Sequence, residues 1–99
     1  MLRIKVHRAE GEVVVAACDA ELIGREFQEG RMRLKVTELF YGDDEYPETA
    51  LDAFLSTCTT ANLCGERAVK HAVSRGYIED DHVLSIQGVK YALLVVMEC

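Results

Sequence analysis

Aromatic residues are scarce in this sequence. There is no tryptophan, and aromatic residues make up 7% of the chain, whereas hydrophobic residues of all kinds make up 49%. We therefore expect an aliphatic core. Charged residues account for 28%, which is typical of an ordinary folded protein and excludes a disordered, highly charged chain. A length of 99 residues suits one hydrophobic core, so we expect a single domain over residues 1–99.

Long apolar runs and excess positive charge are also missing. The longest apolar run, residues 91–97, is much shorter than the roughly 20 residues that span a bilayer. Residues 2–6 alternate apolar and basic side chains, unlike a signal peptide. We expect a cytoplasmic protein with no membrane partner. The net charge of −6 disfavours a free-standing nucleic-acid binder, so any contact with nucleic acid would use a local patch.

Signatures of metal sites and of enzymes are absent from the sequence. The four cysteines, Cys18, Cys58, Cys64 and Cys99, include no Cys-x-x-Cys pair and have no histidine at zinc-ligand spacing. We expect no metal, cofactor or disulfide, and buried free thiols at Cys18 and Cys58; whether Cys18 or Cys64 has a chemical role stays open. No phosphate-binding loop, dinucleotide fingerprint, hydrolase elbow or zinc-protease motif occurs. The sequence thus favours a protein that is not an enzyme, without deciding the question.

Hydrophobic periodicity predicts about five strands. Leu2, Ile4 and Val6 alternate with polar residues, and a turn with Gly11 at positive φ separates them from the apolar run 13–18. These two segments predict a hairpin. Arg25–Gly30 reads as a charged connection that precedes a third strand. The predicted strands lie at residues 2–6, 13–18, 32–36, 83–86 and 89–97, the last two forming a hairpin around Gln87 and Gly88.

Two helices are predicted between the third and fourth strands. Pro47 suits the first turn of a helix, and Leu51, Phe54, Leu55 and Cys58 share one face of it. Asn62 is a good N-cap for a second helix that ends before Gly76, although one bent helix is the alternative. The order ββ(α)β–αα–ββ predicts an α+β fold: a mostly antiparallel sheet of about five strands with two helices packed on one face.

The first candidate site comprises Asp19 and Glu21, at the end of a buried strand. Such a pair of carboxylates could act as acid and base, or hold a divalent cation. The simpler interpretation is that Asp19 caps a short helical turn over Ala20–Ile23, with Glu21 in its first turn and Gly24 at its exit. Capping accounts for Asp19 fully, so we favour it.

The second candidate site comprises Asn62, Gly65, Glu66 and Arg67, at the predicted start of the second helix. A helix N-terminus suits a phosphate or a carboxylate. Glycine in a first turn costs about 1 kcal/mol relative to alanine, which makes sense if some group approaches the backbone closely at Gly65. That group is either a ligand or a neighbouring strand that packs tightly, and we favour packing slightly.

The third candidate is a basic set formed by Arg25, Arg31, Arg33 and Lys35. These residues could contact RNA phosphates or an acidic protein surface. Alternating charges on one strand are more often a solvated face, and few aromatic residues lie between them to stack on bases.

Several segments resemble an archaeal family known as domain of unknown function 424. They are Ala16-Ala17-Cys18-Asp19, Glu21-Leu22-Ile23-Gly24, Phe40-Tyr41-Gly42, Ala61-Asn62-Leu63, Gly65-Glu66-Arg67-Ala68, and Gly88 with Ala92. The resemblance covers nearly the whole chain. It implies an archaeal cytoplasmic protein whose family has no established activity, and whose genes lie near those for translation and ribosome maturation. No catalytic residue follows from it.

These observations lead to two functional hypotheses. The first is a non-catalytic binding module associated with translation or ribosome biogenesis, with the ribosome or translation factors as partners. The alternative is a small-ligand- or nucleotide-binding protein, or an enzyme, whose site joins Asp19 and Glu21 to the segment 62–67. A homo-oligomer that pairs through an exposed sheet edge or through the apolar final strand is a further possibility.

Overall fold

A β-hairpin opens the fold, as the sequence predicts. In the computed structural model, which describes residues 1–96, β1 (Leu2–Ala9) and β2 (Glu12–Asp19) pair antiparallel. Glu10 and Gly11, at φ values of 52° and 82°, form the two-residue turn whose twist suits a hairpin. The positive φ predicted at Gly11 is confirmed.

Residues 20–35 form a short turn and a second hairpin, whereas the sequence predicts one strand in this segment. A 3-10 turn, Ala20–Leu22, leads to β3 (Glu26–Glu29) and β4 (Met32–Lys35), which pair only with each other. The third predicted strand corresponds to β4, whereas the interpretation of residues 25–30 as a connection was wrong. Phe27 is the single buried residue of β3, and one apolar position is too few to show an alternation.

Residues 37–58 contain short elements. They are α1 (Glu38–Tyr41), β5 (Glu45–Tyr46), a 3-10 turn over Glu48–Ala50, and α2 (Leu51–Leu55). The predicted first helix is thus confirmed as α2, but it ends at Leu55. The side chains of Leu51, Leu55 and Cys58 are buried, as their spacing predicts.

The predicted start of the second helix was wrong. Asn62 is not an N-cap but lies in β6 (Thr60–Cys64), and α3 (Glu66–Ser74) begins after Gly65. The strand β6 pairs with β2 on one side, and tertiary pairing of its backbone groups outweighs the capping tendency of Asn62. At the other end of α3, Gly76 follows the helix with φ 82°, as expected of a terminating glycine.

The closing hairpin is confirmed. β7 (Leu84–Ile86) and β8 (Val89–Val95) pair around Gln87 and Gly88. β8 ends at Val95, before the predicted end at Met97; Met97 and Cys99 lie outside the described residues. No helix among residues 1–96 has the length and apolar character needed to cross a membrane.

The main sheet has six strands in the order β5-β1-β2-β6-β8-β7. All neighbours are antiparallel except β2 and β6, which run parallel. The fold is therefore α+β, as predicted, but with a mixed sheet and a separate hairpin. The parallel pair requires a long crossover between β2 and β6, and the segment 20–59 provides it.

Buried side chains cover both faces of the sheet. On one face α2 and α3 pack against β1, β2 and β6, as the prediction of two helices on one face requires. On the other face the β3–β4 hairpin and α1 cover a second cluster that includes Phe27, Leu34, Tyr41 and Cys64. Residue 19 is the only buried charged position among the described residues.

Candidate functional site

Two of the predicted clusters meet at the ends of β2 and β6. Because these strands are parallel, with Cys18 opposite Cys64, their carboxyl ends lie at the same edge of the sheet. Asp19 follows Cys18, and Gly65 follows Cys64. The topology therefore brings the Asp19 side chain to the start of α3, although Asp19 lies 48 residues before Arg67 in sequence.

The Asp19 carboxylate caps α3. Its Oδ2 accepts a hydrogen bond from the Arg67 amide at 3.1 Å, and its Oδ1 accepts one from the Ala68 amide at 3.0 Å. These amides belong to the first turn, where a helix leaves its N–H groups without partners. The prediction that Asp19 caps a turn over Ala20–Ile23 was wrong, since its side chain makes no capping hydrogen bond to the observed 3-10 turn, Ala20–Leu22. Capping was the right chemistry, at a different helix.

Gly65 is required by the close approach of Asp19. A Cβ on Gly65 would lie 2.5 Å from Asp19 Cγ and 2.8 Å from each carboxylate oxygen. Its backbone, at φ 104° and ψ 161°, also falls in a region that residues with side chains almost never adopt. The group that approaches this glycine is therefore a side chain of the protein itself, as the packing alternative supposed.

Glu21 and Arg67 form an ion pair above this cap. The Arg67 guanidinium donates to Glu21 Oε1, and this hydrogen bond lowers the pKa of the Glu21 carboxyl. Both side chains are partly exposed, 56% for Glu21 and 39% for Arg67. Glu66 points to Lys90 Nζ at 3.6 Å. The charged residues of the two predicted clusters thus pair with groups of the same chain.

Asn62 lies apart from this arrangement. Its Oδ1 accepts a hydrogen bond of 2.6 Å from the Tyr91 hydroxyl on the neighbouring strand β8. Successive residues of a strand point to opposite faces, so Asn62 and Cys64 face the hairpin side of the sheet, whereas the Asp19 cap lies on the helix side. The structure brings together Asp19, Glu21, Gly65 and Arg67, and not Asn62.

The thiols near the cap, Cys18 and Cys64, are buried. Burial raises the pKa of Cys18 and of Cys64 to about 12 in each case, with smaller contributions from the neighbouring Asp19 charge. Burial also raises the pKa of Cys58. A nucleophilic cysteine needs a thiolate, which burial disfavours at these positions.

The basic set lies on and beside the β3–β4 hairpin. Arg33 Nε is 3.6 Å from Glu26 Oε1, and the Arg25 guanidinium lies 5.0 Å from the centre of the Phe27 ring. Arg31, in the turn, and Lys35 are exposed. Part of the positive charge is thus neutralised on the hairpin itself.

Four surface clefts have volumes from about 330 to about 610 Å³. None of these four is lined by Asp19, Glu21, Gly65 or Arg67. The groups that meet at the start of α3 bond to the helix amides and to each other. Elsewhere among residues 1–96, possible metal ligands cluster at Glu79, Asp81 and His82. All three are exposed, and exposed acidic clusters commonly occur without a bound ion.

Sequence reasoning missed the role of the basic residues of β1. Three alternate side chains reach carbonyl oxygens at the end of α1: Arg3 donates to Gly42 at 2.9 Å, Lys5 donates to Leu39 at 3.1 Å, and a ring nitrogen of His7 lies 2.7 Å from Phe40 O. Cations are favoured at a helix C-terminus. The alternation at the start of the chain predicted a half-buried strand, and nothing local in the sequence shows that α1 packs against its basic side chains.

Comparison with known proteins identifies relatives of this chain. Residues 7–97 match the model of a family described as "Protein of unknown function (DUF424)". A solved structure, described as an uncharacterized conserved protein from Methanopyrus kandleri, superposes with a TM-score of 0.75 and 23% sequence identity. The match covers 99% of this chain and 95% of that one, which shows a common fold. A comparison with curated protein sequences found no match.

Proposed function

The chain belongs to this family of proteins of unknown function, and on that premise we propose that it is a non-catalytic binding module acting in translation or ribosome biogenesis. The observation that carries the binding-module proposal is that the polar groups at the start of α3 are bonded to one another. Both oxygens of Asp19 accept helix amides, and Arg67 is held by Glu21. Side chains that already bond within the protein are poorly placed to act as catalytic acids, bases or metal ligands.

A protein partner fits the charge distribution better than free RNA does. The net charge is −6, and the basic hairpin carries Glu26 and Glu29 among its arginines. Affinity for nucleic acid rests mainly on neutralised phosphates, and on the hairpin Glu26 already pairs with Arg33. Contact with a translation particle would then go mainly through protein surfaces.

Affinity purification of the tagged protein from its native host tests this proposal. We expect ribosomal particles or translation factors to accompany the protein at low salt and to be reduced at high salt. Arg31→Glu and Lys70→Glu make the same charge change at two exposed positions, on the hairpin and on α3. If the hairpin contributes, only Arg31→Glu reduces capture. Recovery of the protein alone at both salt concentrations would contradict the proposal.

The alternative, a small-ligand or nucleotide site, draws support from one observation. Asp19 and Glu21 do meet the start of α3, as a convergent binding site requires. A ligand there would have to compete with the Asp19 carboxylate for the same amides. Thermal-shift measurements with nucleotides and divalent metal ions test it: a rise in melting temperature that Arg67→Gln abolishes would favour this alternative over the binding module.

A further inference from the structure

The outer edge of β1 is largely open. β1 extends over Leu2–Ala9, but its outer neighbour β5 pairs only with Leu2 and Arg3. From Ile4 onward, no other described strand lies along this edge. An open strand edge presents unpaired N–H and C=O groups, and natural proteins usually block it.

The hairpin register determines which backbone groups point outward. In a two-residue hairpin the residues that flank the turn, here Ala9 and Glu12, form a hydrogen-bonded pair, and such pairs alternate along the strands. Lys5 and His7 therefore bond to β2, whereas Ile4, Val6 and Arg8 direct their N–H and C=O groups away from it. Among residues 1–96 no backbone hydrogen bond outside the paired strands engages these outward groups.

A cleft of about 520 Å³ runs along this edge. On the helix side its wall is formed by Val6, Tyr46 and Phe54, the last two rings meeting edge-to-face at 5.1 Å. On the opposite side its wall is formed by Lys5 and by Leu39, which is 82% exposed. An added strand would place alternate side chains on these two sides, and both sides offer apolar surface.

The rim of this cleft is acidic. Glu38, Asp43 and Asp44 line it, and Glu45 follows them in β5. Arg3 lies 3.7 Å from Glu38 and 3.6 Å from Glu45, whereas no described cation lies within 4.0 Å of Asp43 or Asp44. The two negative charges of Asp43 and Asp44 therefore remain for a partner at the end of the cleft beside Ile4. Lys5 also lines the cleft, and Arg8 lies further along β1.

We propose that the open edge of β1, with the cleft between Phe54 and Leu39, binds an extended basic peptide segment of a partner protein as an added strand. Backbone hydrogen bonds to Ile4, Val6 and Arg8 would supply affinity, and side-chain pockets would supply selectivity. Lysine or arginine near Asp43 and Asp44 supplies the complementary charge. A second copy of this chain is a poorer occupant, because each copy carries a net charge of −6. The inference rests on the proposed binding function and names its site and partner class.

Nuclear magnetic resonance with synthetic peptides tests the proposed site. The probe is a peptide of about eight residues that alternates lysine with valine, and the control alternates glutamate with valine. We expect the lysine peptide to shift the amide signals of Ile4, Val6 and Arg8 and to slow their hydrogen exchange, with smaller effects at Lys5 and His7. The control should bind at least about tenfold more weakly. Shifts elsewhere, no alternation, or no binding of either peptide would overturn the proposal.

Two variants test the mechanism separately. Val6→Pro removes an outward N–H without breaking a bond to β2 and should abolish peptide binding; Val6→Ala keeps that N–H and should retain it. If Val6→Pro does not fold, the exposed pair Asp43→Lys and Asp44→Lys serves instead, and it should reverse the preference toward the glutamate peptide. An unchanged preference would contradict the proposal. The proposal would also be contradicted if light scattering showed a dimer that Val6→Pro dissociates, because a second copy of the chain would then occupy the edge of β1.

The same variants distinguish this inference from the proposed function. If the wild-type protein captures translation components and Val6→Pro captures them equally well, the edge is not the docking site, although the binding function stands. If the lysine peptide binds with the alternating pattern but no translation component is captured, the docking site stands and the assignment to translation fails.

Discussion

Replacing Gly65 with alanine probes the contact that joins α3 to the sheet. The substitution adds one methyl group at a position where φ is 104°. It also places that carbon 2.5 Å from Asp19 Cγ. Because Asp19 is 3% exposed and its backbone belongs to the buried end of β2, the carboxylate can retreat only by lengthening its hydrogen bonds to the Arg67 and Ala68 amides.

The expected loss of stability has two parts. The unfavourable backbone conformation costs about 1–3 kcal/mol. Weakening two hydrogen bonds to a charged group adds about 2–3 kcal/mol, since such bonds contribute about 1.5–3 kcal/mol each. We therefore expect Gly65→Ala to lower the free energy of unfolding by about 3–6 kcal/mol, out of a total of about 5–15 kcal/mol for a domain of this kind.

A double-mutant cycle with Asp19→Ala separates the two parts. Asp19→Ala removes the cap and also removes the atoms that the new methyl group meets. In that background Gly65→Ala should cost only the backbone part, about 1–3 kcal/mol. The two substitutions should therefore be less than additive, with a coupling of about 2–3 kcal/mol.

Urea unfolding followed by circular dichroism measures these differences. Gly76→Ala is the matched control, because Gly76 lies at the other end of α3 with φ 82° and nothing within 4 Å of its added Cβ; it should cost about 1–2 kcal/mol. Additive effects, or a Gly65→Ala cost no larger than that of Gly76→Ala, would refute the reasoning. A nearly unchanged melting temperature together with weakened ligand binding would instead support a ligand site at Gly65.

Two further predictions concern titratable groups. The pKa of Glu21 is lowered by its hydrogen bond to Arg67, so carboxyl titration by NMR should show it rising toward its usual value in Arg67→Gln. Because the pKa of Glu21 is lower in the folded protein, its ion pair stabilises the fold at pH values above the unfolded-state pKa, and this stabilisation is lost as the pH falls through the folded-state pKa. The effect is weak because the pair is exposed. An unchanged Glu21 pKa in Arg67→Gln would contradict the assignment. The pKa values of Cys18 and Cys64 are raised to about 12, so iodoacetamide should label them slowly at pH 8 in the native protein and rapidly in urea. The contribution of these protonated thiols to stability is complete at pH values below the ordinary thiol pKa of 9.0 and is lost as the pH rises above it. Rapid labelling of the native protein would contradict this prediction, because it would show that the thiols are accessible and ionised.

Local chemistry was enough to predict several elements of the fold. The alternation over residues 2–6, the apolar run before Asp19, and the turn residues Gly11 and Gly88 predicted two hairpins that the structure confirms. The apolar spacing of α2 and the position of Gly76 after α3 were also recognisable. In each case the determining interaction lies within a few residues along the chain, so the sequence pattern carries it.

Pairing between distant segments decided the rest. Residues 60–64 include Asn62, a residue that favours the N-cap of a helix. They form a strand because β2 and β8 pair with them on either side. The same parallel pairing aligned the ends of β2 and β6 and moved the Asp19 cap from the adjacent turn to a helix far along the chain. Local propensities of about 1 kcal/mol cannot compete with the pairing of a whole strand.

The sequence by itself thus determined the α+β class, most of the local elements, and the residue types that lie at the candidate site. Only the tertiary structure decided which partners those residues have. In sequence, Asp19 is a capping residue and Gly65 is an unusual glycine at a helix start, yet their shared contact depends on two strands running parallel. The open edge of β1 depends likewise on how little of that strand β5 covers, because strand neighbours are chosen by long-range packing and leave no mark in local periodicity.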